Sequence, residues 1–237
     1  MKAHPYDLHI HSCLSPCGDA DMTPQNIAGM ASLNGLSIVA LTDHNSTANC
    51  PAFFKAAEQY GICPVAGMEL TTAEEIHMLC LFPDLKTAQY FDDFVTKNRV
   101  CFPNDAEVFG EQQIMGEQDE IIGTVPFLLP PATGLTVDDA IAKIREIGAF
   151  ICPAHIDKRS NAMVEILGTV PCAYNFSAVE CHDRPSTAFI AAHGLTNTKI
   201  LYNSDAHYLW EISDARNCLH LDTDHPTAAD VLACLLA

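Results

Sequence analysis

The stretch DLHIHS sets His9 and His11 two residues apart at the end of an apolar run. Side chains alternate faces along an extended chain, so the two imidazoles share one side while Leu8 and Ile10 point to the other. Such a pair chelates an ion. The same arrangement, a metal-ligand side chain closing an apolar run, recurs along the chain. LTDHN ends in Asp43 and His44, VAGMEL in Glu69, EIHML carries His77, FICPAH ends in His155, and ILYNSDAH holds Asp205 and His207. Imidazoles mixed with carboxylates suit divalent Zn, Mn or Fe, whereas Ca and Mg prefer oxygen alone. A centre of two or three ions needs a bridging carboxylate. Glu69, between the histidine sets in chain order, is the candidate.

These residues need elements to position them. DLHIHS, LSIVALTD, ICPVAGMEL, IHMLCLF, AFICPAH, SAVEC and KILYNSD read as strands. Between them Thr23 and Pro24 open a helix that Gly35 ends, Ala48 to Tyr60 is helical up to Gly61, and Thr136 and Thr227 cap two more. About seven strands alternating with helices predict a parallel sheet closed or nearly closed into a barrel. The ligand-type residues then gather at one rim, where such barrels build their sites. The chain is expected to be one domain over 1–237, with 84–135 breaking the rhythm as an insertion or lid; a small hairpin subdomain that only packs is the alternative.

With 49% hydrophobic residues, the 237-residue chain can bury a large core. There is no apolar run long enough to span a membrane and no secretory leader pattern. The eleven cysteines, several within apolar runs, suggest free thiols and a reducing, cytoplasmic setting. The formal charge of −18 predicts repulsion of a long polyanion, so the expected partner is a small phosphorylated substrate rather than long nucleic acid or a membrane.

DLHIHS, TDHN, the Glu of GMEL, PAHID and SDAH together resemble the successive motifs of the PHP (polymerase and histidinol phosphatase) superfamily of metal-dependent phosphoesterases. The resemblance spans residues 7 to 207 and implies an α/β fold, a distorted (β/α)7 barrel with an inserted segment and a two- or three-metal site. It implies that His9, His11, Glu69 and Asp205 hold one ion, that Glu69, His77 and His155 hold a second, and that His44 and His207 serve a third. Many relatives add a His or acidic ligand after the first motif. Here Cys17, Asp19 and Asp21 stand nearest, and Cys17 reads equally as a thiolate ligand or an ordinary loop cysteine. Asp7 and Asp43 read as acceptors that orient the histidines.

Two close divalent ions lower the pKa of a bridging water and offset phosphoryl charge. With Glu69 as the bridge, His207 or His182, in VECHDRP, is placed to protonate the leaving oxygen. Lys158, Arg159 and Arg184 are the nearby cations for the rest of the substrate. The expected reaction is hydrolysis of a small phosphomonoester, with a nucleotide, a 3',5'-bisphosphonucleotide or histidinol phosphate as examples. Two alternatives stand beside it: a non-catalytic metal-binding sensor or scaffold, and an amidohydrolase-type hydrolase, whose bridging lysine is replaced here by Glu69.

Overall fold

A computed structural model describes residues 1–237. The wall of the fold is a six-stranded sheet in the order β10 (Cys218–Leu221), β1 (Lys2–Asp7), β2 (Ile38–Leu41), β3 (Cys63–Thr71), β4 (His77–Phe82) and β7 (Phe150–Pro153). A parallel pair, β8 (Ala178–Cys181) and β9 (Lys199–Tyr202), continues it. The Ile156 amide donates to the Glu180 carbonyl at the β7–β8 junction, and Ile10 bridges Ala206 just past the ends of β1 and β9. Seven strands thus form a distorted ring, with β10 outside it and antiparallel to β1.

The sheet is mixed, not parallel. β4 runs antiparallel to both β3 and β7. The turn between Thr71 and His77 is too short for the crossover that a parallel neighbour requires. The reversal places the first residue of β4, His77, opposite Thr71 at the rim where the other strands end. The first strand also differs from expectation, because it ends at Asp7 and leaves His9 and His11 beyond the ladder. Alternation breaks there: Leu8 joins the barrel interior and Ile10 the outer core.

Alternation along the remaining strands builds two cores. Tyr6, Ile38, Ala40, Val65, Leu79, Leu81, Phe150 and Leu201 fill the barrel; after the short α6 (Met163–Leu167) and α7 (Thr187–Ala192), Val231, Leu232 and Leu235 of the last helix, α8 (Ala228–Leu236), pack against them. On the outer face Val39, Leu41, Met68, Met78 and Phe82 meet three helices, α1 (Pro24–Leu33), α2 (Cys50–Tyr60) and α3 (Leu85–Lys97), and a fourth, α5 (Val137–Glu146). Thr23 caps α1 by accepting the Asn26 amide, and the capping boxes of Thr136 with Asp139 and Thr227 with Asp230 fix the starts of α5 and α8. Fully burying a Phe such as Phe53 or Phe91 contributes about 1.5–3 kcal/mol. No helix is long and apolar enough to cross a membrane.

Residues 84–135 hold α3, the single turn α4 (Ala106–Phe109) and a hairpin of β5 (Gln113–Met115) and β6 (Ile121–Thr124). This segment is tied to the loops that follow β1 and β2. The Gln113 amide donates to the Cys13 carbonyl, Asn49 joins the Gln113 carbonyl to the Met115 amide, and Asn45 donates to the Leu129 and Pro131 carbonyls.

Gly67 sits where β3 presses on β2. A Cβ there would lie 2.5 Å from Thr42 Cγ2 and 3.0 Å from Leu81 Cδ2. Thr42 cannot yield freely, because its hydroxyl exchanges hydrogen bonds with the Ile10 amide and carbonyl. Gly67→Ala is expected to cost about 1–3 kcal/mol and to lower Tm by roughly 3–10 °C, read by calorimetry. An unchanged Tm would show that this contact relaxes.

Candidate metal centre

The strand ends converge on Glu69, which is almost fully buried on the last turns of β3. Its Oε1 lies 2.7 Å from His77 Nδ1, 3.0 Å from His155 Nε2 and 3.5 Å from His9 Nε2. Its Oε2 lies 3.1 Å from His44 Nδ1 and 3.2 Å from His11 Nε2. Asp205 Oδ1 is 3.4 Å from His9 Nε2 and 3.1 Å from His11 Nε2. Two of these residues reach inward by left-handed backbone, His155 at φ 28° and Asp205 at φ 52°. Such strain costs about 1–3 kcal/mol per residue and is held by the surrounding structure.

Three overlapping groups of donor atoms result: His9, His11, Glu69 and Asp205; His44, Glu69 and His77; and His11, His44 and His207. His44 therefore stands with Glu69 and His77 as well as with His207. His155 meets the same Glu69 oxygen as His77, their ring centroids 5.3 Å apart.

The neighbouring groups set which imidazole nitrogen carries the proton. His9 Nδ1–H donates to both oxygens of Glu180 at 3.0 Å, leaving Nε2 for the cluster. Ser15 Oγ donates to Asp43 Oδ1 at 2.7 Å, so it accepts from His11 Nδ1–H at 3.1 Å and again leaves Nε2 inward. His207 Nδ1–H donates to the Asp205 carbonyl at 2.8 Å. Outer partners that orient ligands in this way are a regular feature of metal sites.

Glu180 was missed by sequence reasoning. It is buried on β8, accepts the His155 amide and an Asn203 side-chain N–H, and holds His9. The available signal was one carboxylate inside the apolar run AVEC. Asp43 is hydrogen-bonded to His11 through Ser15 rather than directly. Asp7 does not orient a histidine ring; it accepts the Ser204 and Ser213 amides and so holds the loop that carries Asp205.

Other expected residues fall outside the cluster. Asp19 is not among the donor groups, because its carboxylate turns back to accept the Asp21 amide. Cys17, His182 and Lys158 border a cleft of about 820 Å³ beside Asp205 and His207, and Lys158 Nζ lies 2.5 Å from Asp205 Oδ2. Arg184 stacks over the Tyr202 ring at 5.0 Å. Arg159 is exposed, forms no ion pair and does not border the cleft.

Burial lowers proton affinity at His9, His11, His44 and His207, but at the first two the carboxylates prevail. Glu180, Asp205 and Glu69 hold His9 well above the ordinary range, and Asp205 and Glu69 raise His11 to about 9. Burial dominates elsewhere: His44 is held well below its ordinary value, and His207 falls to about 4 with repulsion from His11 added. Burial works against the charge on Glu69, yet His77, His9 and His44 hold its carboxyl well below the usual range.

These residues fit divalent metal. The Nδ1 atoms of His44 and His77 approach the Glu69 carboxylate at 3.1 and 2.7 Å without the alignment of a hydrogen bond, as expected of donors turned toward a common ion. Donors around the first group lie 3.1–3.5 Å apart, close to the edges of a tetrahedron with bonds of about 2.0–2.1 Å.

The structure thus joins a distorted α/β barrel to a histidine and carboxylate cluster sunk in its rim. The PHP domain family model matches residues 7–127, and the chain belongs to that family of metal-dependent hydrolases. A stretch of 74 residues, 31% of the chain, is 38% identical to an error-prone DNA polymerase of Symbiobacterium thermophilum, of which it covers 7%. A stretch of 94 residues, 36% of the chain, is 36% identical to the uncharacterized protein MJ1587 of Methanocaldococcus jannaschii, of which it covers 53%. Among solved structures, the lesion-specific endonuclease Q of Pyrococcus furiosus superposes with a TM-score of 0.73 at 19% identity, over 99% of this chain and 56% of that one. Endonuclease Q in complex with a 27-mer duplex carrying an abasic lesion gives 0.59 at 20% identity, over 88% and 50%. At these identities the likeness is one of fold.

The exclusion of long nucleic acid drawn from net charge is overturned. The fold of this chain occurs in an endonuclease bound to duplex DNA, and part of its sequence is similar to a DNA polymerase. Net charge sums the whole surface, whereas a bound phosphate feels charges within a Debye length of about 8 Å.

Two measurements probe the centre. Glu180→Gln is expected to weaken divalent-metal affinity roughly 10- to 100-fold without unfolding the protein, read by calorimetric titration and circular dichroism. Unchanged affinity would remove Glu180 from the site. In metal-free protein the raised His9 and His11 stabilise the fold fully below their ordinary value of 6.5, and the contribution is lost as pH rises towards about 9. Between pH 6.5 and 8.5 this loss amounts to about 2 kcal/mol from His11 alone. Tm of chelated protein should fall by roughly 5 °C, while metal-loaded protein, whose ligands must be deprotonated, should hold or gain stability.

Proposed function

We propose that this chain hydrolyses phosphoester bonds in nucleotide-bearing substrates, from nucleotides and 3',5'-bisphosphonucleotides to strand ends or lesions in nucleic acid, with two or three divalent ions. The observation that carries this reading is Glu69, one carboxylate touched by five imidazoles and shared by two donor groups. His9, His11 and Asp205 with Glu69 would hold one ion, His44, His77 and His155 with Glu69 a second, and His207 with His11 and His44 a third. Zn, Mn and Fe suit this nitrogen-rich set. Ions held there would activate water and offset charge on the phosphoryl oxygens.

The chain's own groups do the rest. Lys158, at the cleft beside Asp205, meets a phosphate oxygen of the bound ester. His207, held down to about 4, enters neutral and suits ligation rather than proton donation. The proton for the leaving oxygen then falls to His182, exposed on the same cleft, whose backbone amide donates a hydrogen bond to Asp157 Oδ1. Residues 84–135 are read as an insertion within one domain that braces the loops carrying His11 and His44.

The test is phosphate release from nucleotides and 3',5'-bisphosphonucleotides, run beside cleavage of end-labelled single-stranded, duplex and abasic oligonucleotides after loading with Mn, Zn or Fe. Glu69→Gln is expected to lower turnover at least about 1,000-fold and to reduce bound metal. Retained turnover in that variant would sink the proposed site. No turnover in any fully loaded form would favour a metal-binding sensor.

A further inference from the structure

The sole tryptophan of the chain, Trp210, is 76% exposed beside the cleft. Its ring stacks on Tyr208 with centroids 4.6 Å apart and planes 20° from parallel. Tyr208 borders the cleft next to His207, so the stack runs outward from the candidate metal centre. The pair is rigidly presented: the Glu211 carboxylate accepts the His207 amide at 2.9 Å and the Tyr208 amide at 3.2 Å, closing the turn Leu209–Glu211. A large apolar face held in water serves no packing purpose in this fold.

The charges around it differ from the acidic average. Among only 12 Lys and Arg residues, Lys158 and Arg216 border this cleft, and Arg184 lies over Tyr202, which borders it too. Of the three acids that border the cleft, Asp205 is paired with Lys158, Asp214 with Arg216, and Glu211 is engaged by backbone amides, so no acid there is left without a partner.

We propose that Tyr208 and Trp210 form a stacking platform for an unpaired nucleobase whose phosphate lies at the metal centre. Aromatic faces accept any base, and cations beside them track the phosphates, which is how single strands are held without sequence readout. The inference rests on the phosphoesterase reading for its choice of substrate, and it narrows that reading to substrates with an unstacked base next to the reacting phosphate.

Trp210 is its own reporter. Titration with a 5'-phosphorylated oligothymidylate should quench its fluorescence, and ribose 5-phosphate, which lacks a base, should not. With a labelled oligonucleotide followed by anisotropy, Trp210→Ala should weaken binding roughly 5- to 150-fold, the equivalent of about 1–3 kcal/mol per stacked base. Trp210→Phe should keep most of the affinity. Absence of quenching, unchanged affinity in Trp210→Ala, or equal weakening toward both ligands would overturn the platform. So would a fluorescence change driven by protein concentration alone, which would assign the face to self-association. Quenching by an oligonucleotide that metal-loaded protein does not hydrolyse would uphold the platform and sink the phosphoesterase; hydrolysis without quenching would do the reverse.

Discussion

A carboxylate at the top of an apolar barrel has to be compensated, and the rest of the structure follows from how Glu69 is. Leu79, Leu81 and Phe150 lie in the core beneath it, so water cannot screen its charge. Compensation comes instead from imidazoles delivered by the ends of different strands. Each brings its own desolvation cost, and the balance divides them: His9 and His11 hold protons, while His44 and His207 give theirs up. A cluster that needs positive charge and also contains deprotonated nitrogen donors is poised to exchange protons for metal ions.

That arrangement depends on groups that never face the cluster. Glu180 fixes His9, Asp43 fixes His11 through Ser15, and Asp7 fixes the backbone around Asp205. Asn203 links Glu180 to the Leu8 amide, so β8, β9 and the segment after β1 are joined through one side chain. The antiparallel β4 serves the same end, since only a strand entering at the rim could place His77 against Glu69 while its apolar residues still fill the wall.

Charge acts here on two scales. The chain carries −18 overall, which argues for repulsion of polyanions at a distance. At the cleft the balance is closer, with Lys158 and Arg216 set against Asp205, Glu211 and Asp214 beside a cluster of side chains able to hold divalent ions. Net charge therefore describes the protein at a distance, while a bound ligand meets the nearby, more evenly balanced groups.

Ligand types at the ends of apolar runs were legible in the sequence, because metal coordination demands particular side chains and strands bring period-two faces with them. His9, His11, Glu69, Asp205 and His207 lie together in the structure, although His9 and His11 sit past the end of β1 rather than on a regular strand face. The helix caps at Thr23, Thr136 and Thr227 were legible for a similar local reason. Strand direction was not, since periodicity is identical for a strand read either way, and β4 reverses because of its connection. Glu180 was hidden because a single acid in an apolar run gains meaning only when folding lays it against a histidine 171 positions away. The same holds for Asp7 and Asp19, whose carboxylates had equivalent claims as sequence and were sent to backbone amides by the turns around them. Sequence alone determined which residues were chemically able to hold an ion; the tertiary structure decided which of them stand together, because distance and desolvation exist only once distant segments meet.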